Sequence, residues 1–319
     1  MWVSATTPSP AADRQPSANR IPAHEAAPYG PEGRSPWLDI EWQEHQRWVI
    51  VDGEAINTIV LGDGPPLVFV HGLSGCWQNW LEQVPELARE HRVVTLDLPG
   101  FGSSPMPDGE ISISRYARLL DGLLDQLGID AAGVIGNSMG GFIAAELAIA
   151  CPQRVERLVL ISAAGISTYA DKRTARALPT LRRSERILAA SAAWMASRSD
   201  TVARRRRLRE ATLALVVRHP GRLPAPLAAE QLRGAGKPGF LQAIESILDY
   251  DFRDRLREIA CPTLIVWGDG DRLINVRDAD VFAELIPGSR LVVFEDTGHM
   301  AMLERPRAFN ALLKEFLAD

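Results

Sequence analysis

The sequence predicts an α/β fold, in which a mostly parallel β-sheet carries helices on both faces. Short apolar runs alternate along the chain with amphipathic runs of helical period. Residues 67–70, and residues 264–267 within the run 263–267, are apolar throughout rather than at every second position. That pattern is typical of strands that crossover helices bury on both faces. Residues 112–127 carry apolar side chains at helical spacing and stop before Gly128, as an amphipathic helix would.

The remaining elements follow from the same local patterns. Residues 46–52 and 56–61 are rich in β-type residues and flank a short turn at Asp52 and Gly53, which predicts a hairpin. The other predicted strands are residues 67–70, 92–96, 133–135, 155–161, 263–267 and 290–294. The predicted helices are residues 77–90, 112–127, 138–150, 276–285 and 306–317. This order specifies a sheet with helices on both faces.

The alternation breaks once, at Gly165. Residues 165–250 contain mainly helical, arginine-rich stretches, and a strand pattern resumes only at residue 263. Between residues 165 and 240 there are 14 Arg and 2 Lys against 5 Asp and Glu, whereas the whole chain has a net charge of −5. Such a local reversal of charge indicates a distinct structural unit. We therefore predict a core domain formed by residues 37–164 and 251–319, with residues 165–250 inserted as a helical cap, or lid.

Residues 1–36 are predicted to form a disordered tail. They include seven prolines and seven alanines and very few large apolar side chains, so they cannot bury enough surface to offset the cost of ordering. They lack the apolar core of a secretory signal, and no apolar run in the chain is long enough for a membrane span. The three cysteines show no disulfide or metal spacing. These features predict a cytoplasmic protein.

The strongest chemical signal is Gly136-Asn137-Ser138-Met139-Gly140, which matches G-x-S-x-G. It lies between a predicted strand and a predicted helix, the context in which a serine nucleophile sits on a strained turn. Side chains two positions either side of the serine would collide there, and glycine removes them. The sequence therefore predicts Ser138 as a nucleophile at the N-terminus of a helix.

A serine at neutral pH needs an adjacent base. His299 directly follows the predicted strand 290–294, at the sheet edge where open α/β sheets place their ligand sites. His71 follows another strand, at residues 67–70, and is interpreted as a structural support of its loop. We therefore predict His299 as the general base.

The acid that orients the base is predicted to be Asp271. It follows the strand 263–267, and the order Ser, Asp, His along the chain is the order that this motif uses. Its carboxylate would hold the imidazole tautomer and stabilise the imidazolium. Asp269 is the nearest alternative. More remote alternatives are Asp249, Asp251 and Asp254.

A tetrahedral oxyanion needs donors that are already in position. We predict the backbone N–H groups of Leu73, after the strand 67–70, and of Met139, after the nucleophile. Trp77, Trp194 and Met195 are candidates to contact the substrate, because one lies near the oxyanion loop and two lie on an apolar face of the predicted cap. Packing of that face on the core domain is the alternative.

Together these motifs resemble the α/β-hydrolase superfamily over residues 46–319. The resemblance is carried by residues 71–72, 97–102, 136–140, 268–271 and 297–299. It implies a sheet of about eight strands and a helical lid after the sixth. Haloalkane dehalogenases and soluble epoxide hydrolases of this fold have Asp at the nucleophile position, so Ser138 argues against both activities.

The resemblance implies a serine hydrolase of the carboxylesterase or lipase type. We expect it to cleave the ester of a small to medium hydrophobic substrate through an acyl-enzyme. Residues 136–141 also resemble hydrolases that cleave carbon–carbon bonds in ring-fission products, although those have a longer Gly/Pro-rich oxyanion loop than residues 71–75. Perhydrolysis and acyl transfer are further alternatives, and a receptor-like protein that binds a ligand with little turnover is a more remote one.

The expected mechanism needs no metal and no organic cofactor. The expected partner is a small-molecule ester. Arg204, Arg205, Arg206 and Arg207 form a dense positive run in the predicted cap. The run is either a solvated helix face or a site for an anionic substrate group, an acyl carrier protein or an anionic membrane surface. Nucleic acid is not expected, because no aromatic interleaving accompanies the charge.

Overall fold

The computed structural model describes residues 19–168 apart from 27 and 32, residues 176, 179 and 180, and residues 191–319. Nine strands form one sheet in the order β1-β9-β8-β7-β6-β4-β5-β3-β2. Their bounds are Asn19–Ile21 (β1), Gln46–Val51 (β2), Glu54–Leu61 (β3), Pro66–Val70 (β4), Arg92–Leu96 (β5), Ala132–Asn137 (β6), Val155–Ile161 (β7), Thr263–Gly268 (β8) and Arg290–Phe294 (β9).

The sheet is mostly parallel, as the apolar runs predict. The antiparallel pairs are β2 with β3, which form the predicted hairpin, and β3 with β5. Every other neighbouring pair is parallel. Parallel strands place all their carboxyl ends at one edge of the sheet, so the loops that carry the predicted site residues meet there.

Helices cover the sheet and follow the strands in alternation. Their bounds are Trp42–His45 (α1), Val84–Leu87 (α2), Ile113–Gln126 (α3), Met139–Ala150 (α4), Ser199–Arg204 (α5), Arg206–Leu213 (α6), Ala225–Arg233 (α7), Phe240–Asp249 (α8), Arg277–Leu285 (α9), Ala301–Glu304 (α10) and Pro306–Ala318 (α11). Residues 191–197 are also helical. None of the helices in the described ranges combines the length and apolar character that crossing a membrane requires.

Two apolar cores lie on opposite faces of the sheet. In β4, Val68 and Val70 belong to the core that α3 and α4 cover, whereas Leu67 and Phe69 belong to the core that α11 covers. Successive side chains of a strand point to opposite faces. A strand in this position must therefore be apolar at every residue, which is why its run shows no alternation.

The chain between β7 and β8, residues 162–262, is the insert. Its described part contains α5, α6, α7 and α8 and no strand, in keeping with the helical patterns there. Residues 169–175, 177, 178 and 181–190 of the predicted cap lie outside the described residues. The assignment of residues 165–250 as a separate helical cap, or lid, stays a prediction.

The prediction of a disordered tail over residues 1–36 is wrong at its C-terminal end, and residues 1–18 lie outside the described residues. Strand β1 pairs in parallel with β9, and this added edge strand gives nine strands rather than about eight. Ala26 and Ser35 are buried, and the Ser35 hydroxyl donates to the Glu82 carboxylate at 2.8 Å. The physical reason is that the open edge of β9 and the Glu82 carboxylate supply hydrogen-bond partners that the tail's own composition lacks.

Candidate active site

Ser138 occupies a strained turn between β6 and α4. Its backbone has φ 56° and ψ −119°, a conformation that non-glycine residues rarely adopt. Its N–H donates to the Ile161 carbonyl at 2.9 Å, and its carbonyl accepts from the N–H groups of Phe142 and Ala164 at 3.1 Å each. Strain of this kind persists only where the surroundings hold it, and it clusters at functional sites.

Gly136 and Gly140 must be glycine because backbone atoms of neighbouring residues pack directly against their Cα atoms. A Cβ at Gly136 would stand 2.2 Å from the Gly140 carbonyl oxygen. A Cβ at Gly140 would stand 2.1 Å from the Val70 carbonyl oxygen. Carbonyl oxygens fixed in β4 and α4 cannot give way as a flexible side chain would, so the steric reason for both glycines is local backbone packing.

Replacing Gly140 with alanine is expected to lower the free energy of unfolding by about 3 kcal/mol. Alanine is the better helix former by about 1 kcal/mol, so a purely helical effect would have the opposite sign. The matched control is Gly128→Ala, because Gly128 has φ +65° and no neighbour within 4 Å; it should cost only about 1 kcal/mol of backbone strain. Urea unfolding measures both. Equal losses of unfolding free energy in the two variants would contradict the steric collision proposed at Gly140.

The Gly72–Leu73 peptide is held in one orientation by hydrogen bonds to its carbonyl. The Gly72 oxygen accepts from His71 Nδ1 at 2.7 Å and from the Gly75 N–H at 2.9 Å. In a planar trans peptide the N–H and the C=O point in opposite directions. The Leu73 N–H therefore points away from His71 Nδ1 and the Gly75 N–H, which bind the carbonyl. A Cβ on Gly72 would lie 3.0 Å from Ser138 Cβ, so this peptide lies beside the predicted nucleophile.

His71 is a structural residue, as its position suggests. Its Nε2 accepts from the Leu98 N–H at 3.0 Å, so Nδ1 carries the proton that the Gly72 carbonyl accepts. The ring is fully buried, and burial lowers the pKa of His71. A neutral imidazole with both nitrogens occupied cannot act as the base.

Both amides predicted to bind an oxyanion lie at this edge. Met139 is the first residue of α4, where a helix leaves its N–H groups unpaired. Within the part of the chain that the structure describes, neither the Met139 N–H nor the Leu73 N–H donates to a protein acceptor. The two N–H groups therefore meet the chemical requirement for the role.

Asp271 and His299 form a buried pair. Asp271 Oδ2 lies 2.8 Å from His299 Nδ1, and the two side chains are 0% and 3% exposed. The other carboxylate oxygen, Oδ1, accepts from the N–H groups of Leu273 at 2.8 Å and Ile274 at 3.0 Å. The carboxylate is thus aimed by the backbone, and it fixes the proton of His299 on Nδ1. Nε2 is left able to accept a proton from a nucleophile.

The alternative acids do not share this position. Asp269 is exposed, and its backbone N–H donates to the Phe294 carbonyl at 3.0 Å. Asp249, Asp251 and Asp254 are also exposed. Among the carboxylates considered from the sequence, Asp271 is therefore the one that the fold brings to the imidazole.

One cavity contains Ser138 and His299 in its wall. Its volume is about 460 Å³, which is within the ~300–1,000 Å³ typical of small-molecule sites. The same wall includes Leu73 and residues of the insert, so the cavity lies between the sheet edge and the insert. Apolar side chains from α7, α8, the end of α6 and the loop after α6 form much of it: Leu213, Val217, Leu232, Phe240, Ile244, Ile247 and Leu248.

Of the three predicted substrate contacts, the structure brings one to the cavity. Met195 lines it. Trp77 is instead buried in the core, 9% exposed, with its ring 4.9 Å from that of Trp42. Trp194 is 56% exposed, and the Arg198 guanidinium lies 4.5 Å from its ring centroid. The predictions that Trp77 and Trp194 contact the substrate are therefore wrong. The reason is that neighbouring residues on a helix or turn point in different directions.

The arginine run is exposed. Arg206 forms an ion pair with Glu210 at 2.8 Å, and Arg204, Arg205 and Arg207 are also exposed. None of the four lines the cavity. Docking of a carrier protein or an anionic membrane at this run stays a prediction.

Several cavity residues carry no sequence signal of their own. Asn79 and Gln231 line the cavity, and Asn79 Nδ2 donates to Gln231 Oε1 at 2.6 Å. Asn137, inside the motif, donates through Nδ2 to the His299 carbonyl at 3.3 Å. Only Asn137 could have been found from sequence, by its place beside the serine. Within the described ranges, no cluster of three or more His, Cys, Asp or Glu could hold a metal.

Comparison with known proteins decides the family. The sequence model of the α/β hydrolase fold family matches residues 65–306. The chain belongs to the α/β hydrolase fold family. This α/β hydrolase also resembles a solved N-acyl homoserine lactone degrading enzyme, with a TM-score of 0.66 and 28% identity over 85% of this chain and 100% of that one.

Its curated relatives include hydrolases and one acetyltransferase component. The α/β hydrolase is 32% identical to 2-hydroxy-6-oxo-2,4-heptadienoate hydrolase of Pseudomonas putida, over 85% of this chain and 96% of that protein. It is 31% identical to 2-hydroxymuconate semialdehyde hydrolase of Pseudomonas sp. strain CF600, over 86% of this chain and 94% of that protein. It is 32% identical to the dihydrolipoyllysine-residue acetyltransferase component of the acetoin cleaving system of Cupriavidus necator, over 84% of this chain and 67% of that protein. The chain is accordingly a hydrolase.

Proposed function

We propose that this α/β hydrolase cleaves a carbon–carbon bond in a ring-fission product of the 2-hydroxy-6-oxo dienoate class. The observation that carries the proposal is its similarity to two hydrolases named for such compounds, over 96% and 94% of their lengths. A 2-hydroxy-6-oxo dienoate contains no ester or amide bond. Its hydrolysis must therefore break the bond between the ketone carbon and the dienol chain.

The predicted site residues are suited to the addition and acyl-transfer steps of this reaction. Ser138 Oγ adds to the ketone carbon while His299 Nε2 takes its proton, and Asp271 stabilises the imidazolium. The Leu73 and Met139 amides bind the oxyanion. The substrate reacts at this point as its 2-keto tautomer, in which the enol proton has moved to the carbon next to the ketone. When the carbon–carbon bond breaks, its electron pair is delocalised into the 2-keto group, and the resulting dienolate takes the proton from His299 to give the 2-hydroxy dienoate. Water, activated by His299, releases the acyl group as a carboxylic acid.

The cavity is compatible with a small conjugated substrate. Its apolar wall would bind the diene and the alkyl group of the ketone, while Asn79 and Gln231 offer amide groups to the hydroxyl and carboxylate. Neutral hydrogen-bond donors of this kind orient a ligand within an apolar pocket.

A second candidate is hydrolysis of an ester or lactone by the same residues. One feature of the cavity favours it: among its described lining residues there is no Lys, Arg, Asp or Glu, and His299 is the sole titratable side chain. A buried carboxylate without a cation to pair with it carries a desolvation penalty that a neutral ester avoids. The likeness to a lactone-degrading enzyme at 28% identity agrees with this candidate.

One comparison of rates separates the two candidates. We would measure kcat/KM for 2-hydroxy-6-oxohepta-2,4-dienoate, by loss of its dienolate absorbance, and for p-nitrophenyl acetate and butyrate. Carbon–carbon cleavage predicts a kcat/KM for the dienoate at least about 100-fold above the esters, which corresponds to about 2.7 kcal/mol of transition-state stabilisation.

The products and one substrate variant complete the test. Cleavage of the dienoate must yield acetate and 2-hydroxypenta-2,4-dienoate, and Ser138→Ala must abolish both. A dienoate rate at background, together with rapid ester hydrolysis, would contradict carbon–carbon cleavage in favour of the ester candidate. If the methyl ester of the dienoate is cleaved at the ketone faster than the acid, the cavity selects a neutral substrate.

A further inference from the structure

Glu304 is a fully buried carboxylate five residues after His299. Backbone N–H groups from two segments donate to it: Gly298 at 3.0 Å to each oxygen, Met300 at 3.4 Å, and Arg218 at 2.9 Å. The Tyr29 hydroxyl also donates to it. An ionised carboxylate has acceptor capacity for all four donors.

These donors surround the predicted base. Gly298 and Met300 are the residues on either side of His299, so Glu304 fixes the backbone both before and after the imidazole. His299's own N–H donates to the Val216 carbonyl at 3.1 Å, and Arg218 belongs to the same stretch of the insert. Glu304 therefore joins the loop of the base to the edge of the insert that lines the cavity.

Tyr29 reaches this position from the N-terminal strap, which we define as residues 19–26 and 28–31. The strap lies outside the residues that match the family model, which begin at 65. It is tied down at both ends, because the Glu295 N–H donates to the Ile21 carbonyl at 3.1 Å and the Gly30 N–H donates to the Glu304 carbonyl at 2.9 Å. The Tyr29 hydroxyl in turn accepts from the His219 N–H at 2.9 Å.

We propose that Glu304 and Tyr29 are positioning residues for His299. Tyr29 holds the Glu304 carboxylate, and Glu304 holds the two amides that flank the base. The strap thereby sets where the imidazole stands relative to Ser138. The inference depends on the proposed role of His299 as the base, but not on which bond the enzyme cleaves.

The charge state of Glu304 makes the role measurable. Burial raises the pKa of Glu304, and the hydrogen bond from Tyr29 lowers it. Burial and the nearby Glu304 carboxylate raise the pKa of Tyr29, so its hydroxyl stays protonated and donates. A protonated Glu304 would use one lone pair for its own proton and leave a loop donor without an acceptor. Turnover should therefore fall when Glu304 takes up a proton.

Other charged groups face this pair from every neighbouring segment. Arg305 follows Glu304, and its guanidinium lies 5.1 Å from the Tyr29 ring centroid, while that of Arg222 lies at 5.9 Å. His219 lies edge-on to the Tyr29 ring and pairs with Asp296 at 2.7 Å. Tyr29→Phe keeps the ring for these contacts and removes the hydroxyl alone.

The experiment compares Tyr29→Phe with a matched control, Tyr116→Phe. Tyr116 is buried, and its hydroxyl donates to the Pro99 carbonyl at 2.7 Å, outside the cavity. Tyr29→Phe should lower kcat about tenfold with KM unchanged, as loss of a hydrogen bond to a charged group allows. It should also move the acid limb of the kcat–pH profile to higher pH, because Glu304 loses the bond that lowers its pKa. Tyr116→Phe should do neither.

A proton NMR measurement tests the positioning role of Tyr29 without requiring turnover. The proton between His299 Nδ1 and Asp271 gives a far-downfield proton NMR resonance when the pair is in place. Tyr29→Phe should shift or broaden this resonance as pH falls, and Tyr116→Phe should not. Unchanged kinetics and an unchanged resonance in Tyr29→Phe would overturn the positioning role. Absence of turnover in the wild-type protein would instead contradict the proposed function, and the resonance would still decide the role of Tyr29.

Discussion

Replacing Ser138 with alanine is expected to lower kcat by about 10⁶-fold, the size of effect seen when a serine nucleophile is removed from a triad. The reason is that the proposed acyl-enzyme is an ester of the Ser138 hydroxyl, which alanine lacks. The fold should be unaffected, because alanine can occupy the same backbone conformation. The hydrogen bonds that hold this conformation are made by backbone atoms: the Ser138 N–H donates to the Ile161 carbonyl, and the Ser138 carbonyl accepts from the N–H groups of Phe142 and Ala164. Stopped assays with the preferred substrate of the wild-type enzyme measure the loss.

Ser162 provides the matched control for this substitution. It too is buried, follows a strand of the sheet and has a positive φ, 45°. Unlike Ser138, it is not part of the cavity wall. Ser162→Ala should therefore retain kcat within about twofold. Comparable losses in both variants would mean that the loss does not depend on a hydroxyl in the cavity wall, and would contradict Ser138 as the nucleophile.

Replacing Asp271 with asparagine is expected to lower kcat by about 10⁴-fold at neutral pH. The amide oxygen can keep the hydrogen bonds from the Leu273 and Ile274 N–H groups, so its NH₂ group then faces His299 Nδ1. Nδ1 must become the acceptor, which moves the imidazole proton to Nε2. In that tautomer His299 cannot take the proton of Ser138. Steady-state kinetics on the wild-type substrate measure the effect.

Asp269→Asn is the control for Asp271→Asn, because the two carboxylates lie two residues apart in the same loop. Asp269 is exposed and does not contact His299. Its variant should differ from wild type by less than about twofold. If Asp269→Asn lost as much activity as Asp271→Asn, the assignment of the acid from the 2.8 Å contact with His299 would be wrong.

Much of the sheet could be predicted because burial on both faces leaves a local mark. A strand such as β4 must be apolar at every position, and its sequence, Pro66-Leu67-Val68-Phe69-Val70, is apolar throughout. The parallel order then places the loops after β4, β6, β8 and β9 at one edge, so the positions of Leu73, Ser138, Asp271 and His299 could be expected from sequence order alone.

Strand β1 could not be predicted in this way. The sequence Asn19-Arg20-Ile21 has no strand pattern, and the segment is a strand because β9 leaves an unpaired edge beside it. Residues 77–90 were predicted as one helix, yet the chain forms a 3₁₀ turn at Trp77–Trp80 and a single helical turn at Val84–Leu87. The proline at position 85 lacks an N–H and is tolerated only in a first turn, which separates the two.

The cavity wall was the least predictable part of the site. Trp77 and Trp194 are near the right loops in sequence, but the direction of a side chain depends on which neighbour it packs against. The wall is formed instead by α7, α8 and residues around Val216, whose apolar character suits any core. Glu304 was missed because a single acid after an apolar stretch gives no indication of the four donors that surround it in space.

The most direct test of the account is to label the resting enzyme with diethyl p-nitrophenyl phosphate and locate the adduct by peptide mass spectrometry. The reagent needs an activated serine: the nucleophile's oxygen displaces p-nitrophenolate from phosphorus, and its proton passes to the base. The account predicts one diethylphosphoryl group on Ser138, none in Ser138→Ala, and much slower labelling in Asp271→Asn. Undiminished labelling of Ser138→Ala, or an adduct on Ser74 in the same cavity wall, would contradict it.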